Sequence, residues 1–71
     1  MKTQLLNTTN VKALVKSLKE NDYDVETQAN GDFKPAYVAY SGDRVIFRAL
    51  PHSSGKNYLV QYDINVIKAA A

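Results

Sequence analysis

The sequence predicts an α+β fold in which an N-terminal helix packs on an antiparallel meander of three to four strands. Two patterns support this class. Apolar residues recur with a helical period over residues 11–18, and they alternate with polar residues over residues 23–29. Two turn signals, Asn-Gly at 30–31 and Gly-Asp at 42–43, then divide the following segment into hairpins.

The first predicted element is a helix at residues 8–20. Asn7, Thr8 and Asn10 are all suitable N-caps, and with Asn7 as the cap Leu6 can form a hydrophobic staple with Val11. Asn21 is predicted to end the helix as its left-handed residue. Four apolar residues at i, i+3, i+4 and i+7 form the face that would meet the sheet: Val11, Leu14, Val15 and Leu18.

The first predicted strand covers residues 23–29, where apolar and polar side chains alternate. A two-residue turn at Asn-Gly sets its register against the next strand. In that register Val25 lies opposite Ala36, and Tyr23 lies opposite Val38. Side chains of directly opposite residues share one face of the sheet.

The second predicted hairpin turns at residues 42–43. This turn pairs Tyr40 with Val45 and Val38 with Phe47. The two turns together predict one apolar face for the helix to cover. Its members are Tyr23, Val25, Ala36, Val38, Tyr40, Val45, Phe47 and Ala49.

The C-terminal third predicts a loop at residues 50–57, a fourth strand at 58–62 and a short C-terminal helix at 64–68 capped by Asp63. The loop is too long to determine which face of the strand is buried. The more apolar alternative turns Tyr58, Val60 and Tyr62 inward.

Composition argues against catalysis. The 71 residues, predicted to form a single small domain (1–71), contain no cysteine and only one histidine, His52. Disulfides, thiolate metal sites and a histidine-based metal cluster are therefore not expected. The segment 53–56 (SSGK) lacks the first glycine and the spacing of a phosphate-binding loop. We expect no enzyme activity, no metal and no cofactor.

The net charge is +2, and no apolar run approaches the ~20 residues of a membrane span. We expect a soluble, cytoplasmic protein without a signal peptide. Acidic residues are concentrated in residues 20–32, which hold five acids and no base. A polyanion site would have to avoid that segment.

The predicted turns place a mixed aromatic and basic patch on the sheet face away from the helix. They also predict a row of Asp24, Tyr37 and Arg48 across three strands. The row is either ordinary cross-strand pairing or part of a binding face, since aromatic residues and arginine are enriched at interfaces. The predicted partner-binding residues are Phe33, Tyr37, Arg44, Ile46 and Arg48.

Nucleic acid is the alternative partner for the basic residues. Lys12, Lys16 and Lys19 form one stripe on the outer side of the helix. A lysine stripe is more often a solvated helix face than a phosphate-binding ridge. Lys56 in the loop adds a further candidate contact. The two arginines on the sheet are the remaining candidates, although the acidic residues of the first strand would repel phosphates beside them.

The sequence therefore predicts a small non-enzymatic protein-interaction module. Its size and lack of cofactor motifs are typical of accessory regulators or inhibitors, such as phage-encoded modulators. The expected partner is a larger protein, or a second copy in a homo-oligomer, bound through the open sheet face. The alternatives are a nucleic-acid-binding protein and a structural subunit of a larger assembly. No small-molecule substrate and no membrane partner is expected.

Overall fold

The computed structural model describes residues 2–31, 33–52 and 57–65. The elements in chain order are β1 Lys2–Asn7, α1 Thr8–Glu20, β2 Asp24–Asn30, β3 Phe33–Ser41, β4 Arg44–Pro51 and β5 Asn57–Tyr62. In the described part of the chain, α1 packs on one face of a five-stranded antiparallel sheet with the order β1-β5-β4-β3-β2. The α+β class is confirmed, with five strands rather than three to four.

The strand that the sequence did not predict is β1. It pairs antiparallel with β5 over its whole length, from Lys2 opposite Tyr62 to Asn7 opposite Asn57. The chain then passes directly into α1, because Asn7 is also the helix N-cap. Its Oδ1 accepts a hydrogen bond from the Asn10 N–H at 2.8 Å, so Asn7 is the one of the three candidate caps that the structure uses.

The helix has its predicted bounds, but its predicted ending residue is wrong by one. Asn21 has φ −95°, and Asp22 adopts the left-handed conformation with φ 65°. The Tyr23 N–H donates to the Leu18 carbonyl at 3.1 Å, and the Asp22 N–H donates to the Lys19 carbonyl at 3.2 Å. These two bonds form a Schellman motif, which satisfies carbonyls that the end of the helix leaves unpaired.

The predicted register between β2 and β3 is wrong. Val25 lies opposite Ala39 rather than Ala36. The residues paired beside the turn are Asn30 and Phe33, so the turn lies one residue later than predicted. A further irregularity falls between residues 28 and 30. Together they shift the register by an odd number of residues, and this reverses which side chains of the two strands share a face.

The register between β3 and β4 is right at the turn and wrong beyond it. The predicted pair Tyr40–Val45 is confirmed. The predicted pair Val38–Phe47 is not, because Ile46 is an extra residue on β4 at a β-bulge. The bulge interrupts the alternation of side chains, so Ile46 and Phe47 are consecutive and both buried in the core.

These register changes transfer part of the predicted helix-facing set to the other side of the sheet, here called the outer face. Val38 now lies opposite Glu26 and Arg48, instead of Tyr23 and Phe47. The core under α1 keeps Tyr23, Val25, Phe47 and Ala49. The outer face receives Ala36, Val38, Tyr40 and Val45.

The predicted fourth strand is confirmed as β5, and its more apolar orientation is the one observed. Tyr58 and Val60 are buried beneath α1, and Tyr62 packs against the same core. Leu50 and Pro51, which were predicted as loop, extend β4. The pairing of β4 with β5 therefore extends to Pro51 opposite Tyr58, closer to the connecting segment than the sequence indicated.

The structure describes only Ile64 and Asn65 of the predicted C-terminal helix at 64–68. Both have helical backbone, but two residues do not form a separate helix among the described elements. The Asn65 N–H donates to Asp63 Oδ1 at 3.0 Å, the kind of local bond that a capping aspartate makes. The rest of the predicted helix lies outside the described residues.

Candidate interaction surfaces

The predicted partner-binding patch is not assembled on one surface. Ile46 is 1% exposed in the core beneath α1. Tyr37 lies on the helix side of the sheet, where its ring centroid is 5.9 Å from that of Tyr58. Both residues were assigned to the outer face by the wrong register. Their contribution is to core packing beneath the helix.

Two of the other three predicted residues, Arg44 and Arg48, are separated as well. The exposed Arg44 guanidinium forms an ion pair with Asp63, which ties the start of β4 to the segment after β5. The side chain of Phe33 lies outside the described residues. Arg48 is exposed and does lie on the outer face, so it is the member of the patch that keeps its predicted position.

The predicted row of Asp24, Tyr37 and Arg48 is replaced by Glu26, Val38 and Arg48. Val38 is only 4% exposed although it lies on an open face. Its cross-strand neighbours have long aliphatic stems, which can lie over a small apolar residue while their charged ends remain in water. On the outer face, Val38 therefore lies between an acidic and a basic neighbour.

The outer face carries an apolar feature that the sequence analysis missed. Leu5 pairs with Leu59, and Leu59 pairs with Leu50, so three leucines lie side by side on β1, β5 and β4. They are 53%, 38% and 43% exposed, respectively. We call them the leucine row. With strands about 4.8 Å apart, the row extends about 10 Å across the sheet.

The surroundings of the leucine row are mostly uncharged. The adjacent row on the same strands contains Thr3, Gln61 and Arg48. The acidic side chains of the outer face, Asp24 and Glu26, lie on β2 at the opposite edge. The outer face is therefore apolar and neutral on one half, with one arginine near the centre and carboxylates along the far edge.

One sequence signal could have revealed the leucine row. Leu5 and Leu6 are consecutive, so any strand through them must turn one leucine away from the core. Leu59 has the opposite parity to Tyr58 and Val60 in the same way. The signal was missed because residues 2–7 were not predicted as a strand.

The predicted lysine stripe borders a groove of ≈ 360 Å³ between α1 and the strands β2 and β3. Lys12, Lys16 and Lys19 line it together with Thr27 and Tyr37. We call this the lysine groove. Asp24 and Glu26 belong to the other face of β2, since they pair with outer-face residues of β3. The predicted contact Lys56 lies outside the described residues.

A second groove, of ≈ 390 Å³, lies between α1 and the edge strand β1. Apolar and small residues form most of its lining: Leu6, Ala13, Leu14, Ser17 and Tyr62, with Gln4 and Asn10. The Tyr62 hydroxyl donates to Gln4 Oε1 at 3.0 Å, so its polar group is satisfied. We call this the β1 groove.

Tyr58 is an ionisable residue that is buried in the core. Burial raises the pKa of its phenol above the ordinary value of 10.0, and the neighbouring Tyr37 raises it further. The Tyr58 hydroxyl donates to the Pro35 carbonyl oxygen at 2.9 Å. This bond gives the buried hydroxyl a partner in its neutral form, which is the form that burial favours.

Within residues 2–31, 33–52 and 57–65, no group of three histidine, aspartate or glutamate side chains is arranged to hold a metal ion. In the same part of the chain, no helix has the length and apolar character needed to cross a bilayer. Comparison with protein families, with curated proteins and with solved structures gives no match. A functional proposal therefore depends on the surfaces described above.

Proposed function

We propose that this chain is a small non-enzymatic protein-interaction module. It acts as an accessory or regulatory protein that binds and modulates a larger protein partner, with the outer face as its binding surface. The leucine row is the observation that carries this proposal. Three contiguous leucines on one open face are unlike singly scattered apolar residues, which need no explanation on a soluble protein.

Burial of the leucine row by a partner would be favourable in free energy. Complete burial of one leucine side chain is worth about 1.5–3 kcal/mol. Each residue of the leucine row forgoes a substantial part of that in the isolated chain. A partner that covers all three leucines gains the burial free energy that each of them lacks in the isolated chain. Neighbouring apolar residues of this kind make interface hot spots.

The arrangement also indicates the chemistry of the partner. The row is straight and bordered on one side by Arg48. A complementary surface would present an apolar ridge, such as one face of an amphipathic helix, with a carboxylate beside it to pair with the guanidinium. Regulation would then result from occupying the partner's apolar ridge.

The test compares two substitutions that add the same charge on different faces of the sheet. Leu59→Asp places a carboxylate in the middle of the row, and Thr27→Asp places one at an exposed position on the helix side of β2. Immobilised wild-type and variant proteins are exposed to an extract of the organism that encodes the chain, and bound proteins are quantified. The partner is then purified, and its affinity for each variant is measured.

We expect a partner that the wild type and Thr27→Asp retain and that Leu59→Asp loses. Its affinity should change little with salt, since the contact is mainly apolar. Equal binding by all three proteins, with circular dichroism showing each of them folded, would contradict the proposal.

Nucleic-acid binding is a second candidate because the lysine groove gathers three cations where no carboxylate of β2 faces them. Lys34 extends the basic strip, since its Nζ donates to Thr8 Oγ1 near the start of α1 at 2.8 Å. The groove runs beside the helix, so a single strand could place successive phosphates along it.

Salt dependence separates this candidate from the first. For a labelled single strand held by three lysines, the logarithm of affinity should fall against log salt with a slope of about −2. Lys16→Gln should reduce that slope by about 0.7. Lys2→Gln, on β1 away from the groove, is the matched control. No measurable binding at low salt would remove this candidate.

A further inference from the structure

The two edges of the sheet differ in how they are protected against pairing with another strand. At the β2 edge, Asp24 and Glu26 are charged and exposed, and the ladder is irregular near Asn30. Charged side chains and bulges are the usual protection of an edge strand. The β2 edge is therefore poorly suited to pairing with a second copy, because its carboxylates would face those of the partner.

The β1 edge has none of this protection between Thr3 and Asn7. That segment contains no charged residue and no proline, and its pairing with β5 is regular throughout. It is also apolar on both faces, with Leu5 exposed on the outer face and Leu6 packed towards the core. An uncharged, regular and partly apolar edge strand is a template for a further strand.

The helix α1 also leaves part of the apolar surface beside β1 uncovered. The β1 groove leaves part of Leu14 uncovered, and the small residues Ala13 and Ser17 border it. Side chains this short let another element approach the helix closely. The apolar surface at this edge therefore continues from the outer face, across β1, into the space beside α1.

We propose that a second copy of this chain pairs antiparallel with β1 along this edge, and that a two-fold axis perpendicular to the sheet relates the two copies. In that arrangement both outer faces lie on the same side, and directly opposite residues share a face. The register centred on Leu5 then places it against the partner's Leu5. No like charges meet between Thr3 and Asn7, since the segment has none.

The second copy fits better than an unrelated strand for two reasons. The edge is self-complementary in this register, since Leu5 meets the partner's Leu5 and no charge of one copy meets a like charge of the other. The pairing also joins two leucine rows end to end, with three leucines from each copy on one continuous outer face. This inference does not rest on the proposed function, although it would double the surface that the function uses.

The test is solution mass against concentration, by sedimentation equilibrium on the full chain. We expect wild type to reach twice the 7.9 kDa chain mass as its concentration rises. Leu5→Lys and Leu5→Glu should each weaken self-association by roughly 100-fold, because like charges would face each other across the axis. A 1:1 mixture of the two variants should recover the dimer, since lysine then faces glutamate.

Leu50→Lys is the matched control, because it adds the same charge to the leucine row two strands away from the edge. It should leave the dimer intact. A dimer that Leu50→Lys also abolishes, and that the charge-swapped mixture does not recover, would overturn edge pairing and indicate stacking of outer faces. A wild-type chain that stays monomeric up to millimolar concentration would overturn the inference while leaving the proposed function standing.

Discussion

Asp22 is the one non-glycine residue with a positive φ in the described part of the chain, at 65°. It occupies the position after the C-cap of α1, where glycine is the usual residue because it has no Cβ to crowd the backbone. Aspartate tolerates this conformation better than most residues, but its carboxylate also lies at the negative end of the helix dipole. The motif is retained because Tyr23, the next residue, packs against the core.

Asp22→Gly is expected to raise the free energy of unfolding by about 0.5–1 kcal/mol, since glycine adopts the left-handed conformation without strain. Asp22→Ala is the control, because it removes the same charge but keeps a Cβ. It should lower stability. Urea unfolding measures both, and an equal gain in the two variants would show that the charge matters and the backbone conformation does not.

The burial of Tyr58 makes the free energy of unfolding depend on pH. Its native pKa is raised above 10.0, so the unfolded chain loses the phenolic proton at a lower pH than the folded chain does. The unfolded state therefore binds fewer protons once the pH exceeds that ordinary value. The stabilisation is complete below it and is lost as the pH rises through the native pKa.

We expect the free energy of unfolding to fall as the pH rises above the ordinary tyrosine pKa of 10.0, and to fall less in Tyr58→Phe. At neutral pH the variant should lose about 1 kcal/mol, because the Pro35 carbonyl loses its hydrogen-bond donor. Urea unfolding at each pH measures both effects. Identical pH profiles for the two proteins would argue against a buried tyrosine as the titrating group.

At the scale of elements, α1 was predictable because its signals are local. The apolar period, the Asn7 cap and the polar outer side all agree, and the observed bounds match those predicted. The registers were not predictable because two bulges break the alternation. On β4, Val45, Ile46 and Phe47 are all apolar, so the sequence does not show which of them is the extra residue.

Leu18 should be the most sensitive position of α1, since it is fully buried and lies within the Schellman motif. Leu18→Ala is expected to cost about 3 kcal/mol of stability. Leu14→Ala is the matched control on the same helix, and its cost should be clearly smaller because Leu14 is half-buried beside the β1 groove. Thermal and urea unfolding compare them, and equal losses would contradict the packing described here.

At the scale of the whole molecule, the pairing of β1 with β5 brings the two ends of the described chain together. The ion pair between Arg44 and Asp63 holds the same region. Because β3, β4 and β5 are each paired on both sides, their amides are enclosed by the sheet, whereas β1 and β2 are each paired on one side within residues 2–31, 33–52 and 57–65. The sheet is therefore expected to open from its edges.

Amide hydrogen exchange should show this directly. At low protein concentration, we expect the slowest exchange in β3, β4 and β5 and faster exchange in both edge strands. Raising the concentration should slow exchange in β1 and leave β2 unchanged, because edge pairing covers only β1. Equal slowing of both edges, or of neither, would contradict the difference between the edges.

The α+β class, the limits of α1 and the presence of β2 to β5 were predictable from the sequence. Those features depend on local periodicity, caps and turns, which a short window of residues contains. The strand registers, the composition of the outer face and the inward orientation of Tyr58 and Val60 became clear from the folded chain. The structure also showed β1. Its pairing with β5 explains why Leu5 lies on the outer face and Leu6 on the core side. Strand pairing is a long-range choice, and one bulged residue reverses every side chain beyond it.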